Sequence, residues 1–257
     1  MKQIKNISPI KVFSFGPAWE LPFASCAPFP IKLESWLRLT EIPYEAIVEN
    51  NVNKGPKKKS PWIEDDQIRM GDSELIIEYL KQKHGINPDS GLTLAEQASA
   101  LAWQRMLEEH YHQVWEYLHF VTKEGKVASD DFFKQLPVLA RPIIKHVVCS
   151  GLEKQLYERG IGRHTHDEVV TMGISDIDAI SHFLGDKDYF FGTTPVTFDT
   201  IAFAFLSLTI WTPEISPVHT HARSLQNLVD YCQRMGERLF PEKIKPLREP
   251  KQLQKAS

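Results

Sequence analysis

Residues 60–80 read SPWIEDDQIRMGDSELIIEYL, and the order of elements in this stretch decides the fold. A proline at 61 opens a strand-like pair, WIE and QIRM, joined at Asp65-Asp66 as a short hairpin. From Ser73 the apolar residues Leu75, Ile76, Tyr79 and Leu80 fall at helical spacing until Gly85 ends the run. The stretch is therefore strand, strand, helix. Two of its junctions ask for a reason: the lysines 57–59 run straight into Ser60-Pro61, and Asp72-Ser73 sits where the helix begins.

Upstream, IKVFSF at 10–15 is rich in β-formers, and a loop with Gly16, Pro17 and Pro22 follows it. From Pro30, Leu33, Trp36, Leu37 and the Thr40 methyl repeat at helical spacing, with the proline suited to a first turn. YEAIVE at 44–49 reads as a second strand, and residues 50–59 stay open between a turn and a one-turn helix. The order is β-α-β-(open)-β-β-α. Residues 85–93, GINPDSGLT, have the composition of a connector. Beyond them the pattern is helical: a long run over 94–123 with the stripe Ala98, Leu101, Ala102, Met106, Trp115, Leu118 and Val121, then helices over 142–158, 166–185, 198–211 and 221–238. The expected organisation is an α/β domain over 1–87, a linker over 88–93, an all-helical domain over 94–240 and a mobile tail over 241–257.

Composition excludes several classes of function. The chain has 257 residues, 42 % apolar and 25 % charged, with a net charge of −3, so no positive field recommends nucleic acid as a partner. Cys26, Cys149 and Cys232 are odd in number and widely spaced, which offers neither a disulfide framework nor paired zinc ligands and fits a reducing, cytoplasmic setting. The amino terminus lacks the apolar core of a secretory signal. The most apolar stretch, IAFAFLSLTIW at 201–211, is far short of the ~20 residues a membrane helix needs. No metal site is expected, because His110 and His112 point away from each other on a helix and the His164/His166 and His219/His221 pairs lack an evident third ligand.

A βαβ-ββα unit followed by a helical domain resembles the glutathione S-transferase superfamily, over essentially the whole chain. KLESWLRLTEIPYEA at 32–46 and GDSELIIEYL at 71–80 resemble its failed-axon-connections and metaxin-like branch more closely. The resemblance implies a thioredoxin-like first domain, a homodimer, glutathione as co-substrate and a small hydrophobic electrophile as second substrate.

It also implies a site. Pro61 is expected to be cis, leaving the Trp62 N–H and C=O to pair with the cysteinyl backbone of glutathione. At the helix tip, the Ser73 hydroxyl and the amides around it would hold the γ-glutamyl carboxylate, and Asp72 the γ-glutamyl ammonium. Lys59 would meet the glycyl carboxylate. Arg105, Glu108, Tyr111 and His112 are candidates for the wall of the electrophile pocket.

The thiol-activating position departs from the family pattern. Relatives place a reactive Cys or Ser directly before Pro-Phe, whereas FASCAPFPIKLE at 23–34 has Ala27 there. Ser25 and Cys26 are the remaining candidates: Ser25 would favour conjugation or isomerisation, and Cys26 a glutathione-dependent thiol transferase. A non-catalytic binding or adaptor protein is the third reading that Ala27 allows. In the helical domain, FFGTTPVTFDTIAFAFL at 190–206 resembles the family's buried capping-box helix, with Asp199 in place but valine at the cap, 196.

Overall fold

The computed structural model describes residues 9–244. The expected tail therefore lies outside the described residues beyond position 244. Strand β1 (Ile10–Ser14) runs parallel to β2 (Tyr44–Val48) and antiparallel to β3 (Trp62–Asp65), which pairs with β4 (Ile68–Gly71). The sheet order is β2-β1-β3-β4, a four-stranded mixed sheet. The chain returns from β1 to β2 through helix α1 (Pro28–Leu39), as a parallel crossover requires. Between β2 and β3 the open segment contains a 3₁₀ turn at Val52–Lys54. The Ser60-Pro61 peptide is cis.

Helix α1 starts two residues earlier than Pro30 suggests, because Pro28 takes the first helical position, where a proline loses no hydrogen bond. It is buried almost all round: one side covers the sheet through Leu33, Trp36 and Leu37, and another meets the helical half. That forces its polar residues to find partners inside the protein. Glu34 accepts the Ala24 N–H at 2.9 Å and the Tyr44 hydroxyl at 2.8 Å, pinning the loop ahead of the helix. Lys32 reaches Glu108 of the helical half. Helix α2 (Ser73–His84) closes on Gly85, whose φ of 64° suits a residue without Cβ.

The long run expected over 94–123 is three pieces in line: α3 (Leu94–Arg105), a π-helical segment at Met106–Tyr111, and α4 (His112–Phe120). Thr122 then caps a separate short helix, α5 (Lys123–Ala128), and α6 (Asp130–Phe133) follows. Helices α7 (Arg141–Arg159) and α8 (His166–Leu184) match the expected pattern closely. Helix α9 (Thr197–Ile210) forms the centre of the helical half and is buried from Phe198 onward. The last expected helix is two, α10 (Pro217–Ser224) and α11 (Gln226–Leu239), because Leu225 leaves the helical conformation. At the α9 start only half of the capping box can form: the Asp199 carboxylate accepts the Val196 N–H at 2.9 Å, and valine has no acceptor to return. Among the described residues no helix is long and apolar enough to cross a membrane.

Candidate functional site

Where the start of α1, the loop before β3 and the helices α4, α6 and α7 converge, they enclose a cavity of about 370 Å³. Its apolar wall includes Phe29, Trp115, Phe120, Phe132, Ile144 and Val148. Its polar end is made by Asn50, Lys58, Lys59 and Ser60 on one side and by His112 and Glu116 on the other. A second hollow of about 340 Å³ between α2, α3 and α9 is lined by charges already paired, such as Lys81 with Asp89 at 2.8 Å, and lacks the α1 tip.

The position before Pro-Phe faces the larger cavity, and its occupant is Ala27. Ser25 and Cys26 do not line it; each is only 1 % exposed. Burial pushes the Cys26 thiol up to about 12, so it stays protonated and is placed as a packed side chain, not as a nucleophile. The Ser25 hydroxyl accepts the Ala27 N–H at 3.4 Å, which points it back along the loop. The α1 tip is also poor in donors. Pro28 and Pro30 have no N–H, and the Ile31 N–H already donates to the Ala27 carbonyl at 3.2 Å, which leaves that of Phe29.

The expected role of the Trp62 backbone needs correction. Trp62 lies between Phe13 of β1 and Gly71 of β4. The Asp72 N–H donates to the Pro61 carbonyl at 3.4 Å, which makes 62–71 the non-hydrogen-bonded kind of pair and turns the Trp62 N–H and C=O toward Phe13. They are used within the sheet. The peptide before the cis bond, Ser60, is the one that borders the cavity. Its hydroxyl is buried with no hydrogen-bond partner among the described residues. The indole of Trp62 stacks flat on Phe13, 5.3 Å between centroids, beneath the site.

The helix tip at Asp72-Ser73 differs from expectation too. Asp72 is the N-cap, and its carboxylate accepts the N–H groups of Glu74 at 3.1 Å and Leu75 at 3.3 Å. With the Asp72 N–H given to Pro61, the Ser73 amide and hydroxyl are what the tip retains for an anion, and Ser73 is 5 % exposed. Lys57 stands 3.8 Å from the second carboxylate oxygen of Asp72. Lys59 borders the cavity from the same loop.

Of the four candidates for the electrophile wall, only His112 lines the cavity. Arg105 is committed to Glu74 at 2.8 Å, and Glu108 to Lys32 at 2.5 Å, so both fasten α3 and the π segment to the first half. The Tyr111 hydroxyl meets Thr209 of α9 at 2.7 Å in the interior. Burial lowers the His112 imidazole to about 4, with Arg159 and Lys59 adding repulsion, so it is neutral at physiological pH. Glu116 was not anticipated, although it stands four residues after His112 and so shares its helix face. Its carboxylate lies 3.8 Å from His112 Nε2 and 3.7 Å from an Arg159 nitrogen, and burial raises its pKa despite the opposing Arg159 and Lys59 charges. The α7 residues of the wall carry no signal beyond ordinary core spacing. Of the paired histidines, His110 meets Asp176 and His221 meets Asp178, each at 2.6 Å, and among the described residues no cluster of three metal-ligating groups forms.

Comparison with known proteins names this architecture. Residues 28–125 match the glutathione S-transferase N-terminal domain and residues 173–235 the glutathione S-transferase C-terminal domain. The chain belongs to the glutathione S-transferase family. Among its relatives is the isoprene-epoxide–glutathione S-transferase of Rhodococcus sp. (strain AD45), 30 % identical over 88 % of this chain and 97 % of that one. Failed axon connections of Drosophila melanogaster is 29 % identical over 91 % of this chain, which spans 58 % of that protein. Human metaxin-2 is 21 % identical over 84 % of this chain and 83 % of its own length, so both relatives of the expected branch appear. A solved glutathione transferase of Phanerochaete chrysosporium shares the fold with a TM-score of 0.64 at 15 % identity, over 91 % of this chain and 98 % of that one.

Proposed function

We propose that this protein is a glutathione transferase that adds the tripeptide's thiol to a small apolar electrophile of the alkene-epoxide class. The observation that carries this reading is the cavity itself, in which the first half contributes a polar end at Ser60 and Lys59 and the second half an apolar wall. On this reading the cysteinyl backbone pairs at Ser60, the glycyl carboxylate meets Lys59 and the γ-glutamyl end lies toward Asp72 and Ser73. The sulfur then rests near Ala27 and Phe29, facing a volume of about 370 Å³ that suits a small hydrocarbon electrophile. The relative whose name states an isoprene epoxide as substrate supports the epoxide class. A cytosolic homodimer goes with this reading, and exposed Leu75, Leu94 and Leu101 on α2 and α3 supply apolar surface for a second copy.

Ala27 favours a second reading, a binding protein that holds glutathione without turning it over. Calorimetric titration with reduced glutathione, followed by assay with styrene oxide, separates the two. Binding with turnover supports the transferase, binding without turnover the adaptor, and no binding at millimolar concentration overturns both. Lys59→Met is expected to weaken binding about threefold, as loss of an exposed ion pair worth ~0.7 kcal/mol would.

A further inference from the structure

Glu116 is an unusual occupant of the cavity. It shares the cavity lining with the rings of Phe29, Trp115, Phe120 and Phe132, and its side chain is 15 % exposed. Among the described residues its carboxylate has no hydrogen bond, and its nearest charged or titratable groups, His112 of its own helix and Arg159 of α7, stay at 3.8 and 3.7 Å. Lys59, across the cavity, is the remaining cation acting on it. A carboxylate held for structure alone would take shorter bonds, as Glu108 does with Lys32 at 2.5 Å. Burial favours the neutral acid and outweighs the opposing Arg159 and Lys59 charges, in line with its raised pKa.

Resting on the transferase reading above, we propose that Glu116 is the general acid of this site and donates the proton taken up by the electrophile's oxygen. As the glutathione sulfur bonds to an epoxide carbon, the carbon–oxygen bond breaks and its electron pair goes to oxygen. That oxygen takes the proton of the Glu116 carboxyl. The thiol has given its own proton to water, and water returns one to the carboxylate, so the net reaction is a simple addition. Neutral His112 stands beside Glu116, 3.8 Å away, without competing as a cation. The role selects the substrate class: electrophiles that release an oxygen anion gain from the acid, and those that expel a halide do not.

The test compares Glu116→Gln with the unsubstituted protein on styrene oxide and on chlorodinitrobenzene, whose leaving group needs no proton. Positioned acids contribute about 10²–10⁴-fold. The substitution is expected to lower kcat/KM for the epoxide at least ~30-fold more than for the aryl chloride. It should also abolish the fall in epoxide turnover as pH rises through the Glu116 pKa, since the acid must be protonated to act. Equal losses on both substrates, or an unaltered epoxide rate, overturn the proposal. Turnover of the aryl chloride but not the epoxide by the unsubstituted protein overturns it together with the epoxide class while sparing glutathione transfer itself, whereas turnover of neither overturns both. Should Glu116→Gln fail to fold, Glu116→Asp, which keeps the acid but shortens its reach, provides the same ratio.

Discussion

Lys32 Nζ and Glu108 Oε1 lie 2.5 Å apart, with side chains 1 % and 5 % exposed, and this ion pair ties helix α1 beneath the site to the π segment of the helical half. Gln104 donates to the other Glu108 oxygen at 2.9 Å, so the carboxylate is well satisfied. Removing one partner leaves a buried charge uncompensated, at a cost of about 3–5 kcal/mol. Glu108→Ala is therefore expected to be strongly destabilising in urea unfolding, and Lys32→Met with Glu108→Leu to recover most of the loss. A double substitution no better than the single one would show that Glu108 acts through the rest of its network.

Ala27 puts no hydroxyl at the position before Pro-Phe, and Pro28 and Pro30 take two N–H groups from the same helix tip. Ala27→Ser restores one donor on the cavity wall. Each unit by which a thiol pKa falls corresponds to ~1.36 kcal/mol, and one new hydrogen bond is worth about that much. The variant should raise the thiolate fraction of bound glutathione by about tenfold, read from ultraviolet difference absorbance. An unchanged spectrum would mean that the sulfur does not lie near position 27.

Cys26, Cys149 and Cys232 are all buried, and burial raises each thiol. With Cys26 at about 12, its thiolate fraction at pH 8 is on the order of 10⁻⁴. An aromatic disulfide reagent should leave the folded protein nearly unlabelled and react with all three thiols in denaturant. Cys26→Ala should retain most of the transferase rate, and a complete loss would restore the thiol-transferase reading.

His119 and His219 lie within the helical half with rings 5.5 Å apart, and burial lowers them from 6.5 to about 4 and about 3. Their folded pKa values are depressed, so the unfolded chain binds more protons below pH 6.5 and stability falls as pH falls. Asp199 works the other way: burial raises it from 3.8 to about 6, and its penalty eases as pH drops through that window. From pH 7 to 5 His119, His219 and His112, which burial also lowers to about 4, each lose roughly 2 kcal/mol and Asp199 returns about 1, a net loss of roughly 4–5 kcal/mol. Urea unfolding at the two pH values measures this, and His119→Gln should remove about a third of the histidine contribution. Stability that rises on acidification would contradict the assignment.

The fold was readable because its signals are local. Pro61, the Asp65-Asp66 turn and Gly85 punctuate the decisive stretch, and the helix within it carries its buried residues Ile76, Ile77 and Leu80 at helical spacing. The site was only partly readable. Asp72 and Ser73 are adjacent in sequence, yet which of them caps α2 depends on a backbone turn with φ of 90° at Asp72, which no spacing reveals. Trp62 and Ser60 flank the same proline, and only the strand register decides which peptide is free. Arg105, Glu108 and Tyr111 share a helix with His112, but the direction each faces is set by the wide turn at 106–111, which has no compositional mark.

That wide turn has a consequence for anyone grafting this chain. Rewinding 106–111 as ordinary α-helix with all six residues kept would rotate everything after it by about 100° relative to what precedes it, because the wide turn holds one residue more than an α turn. Glu108 would stay locked to Lys32 while positions 112 and 116 swung off the cavity, so an intact domain junction would carry a misaligned acid. The phase of this helix is thus specified by its winding as much as by chemistry.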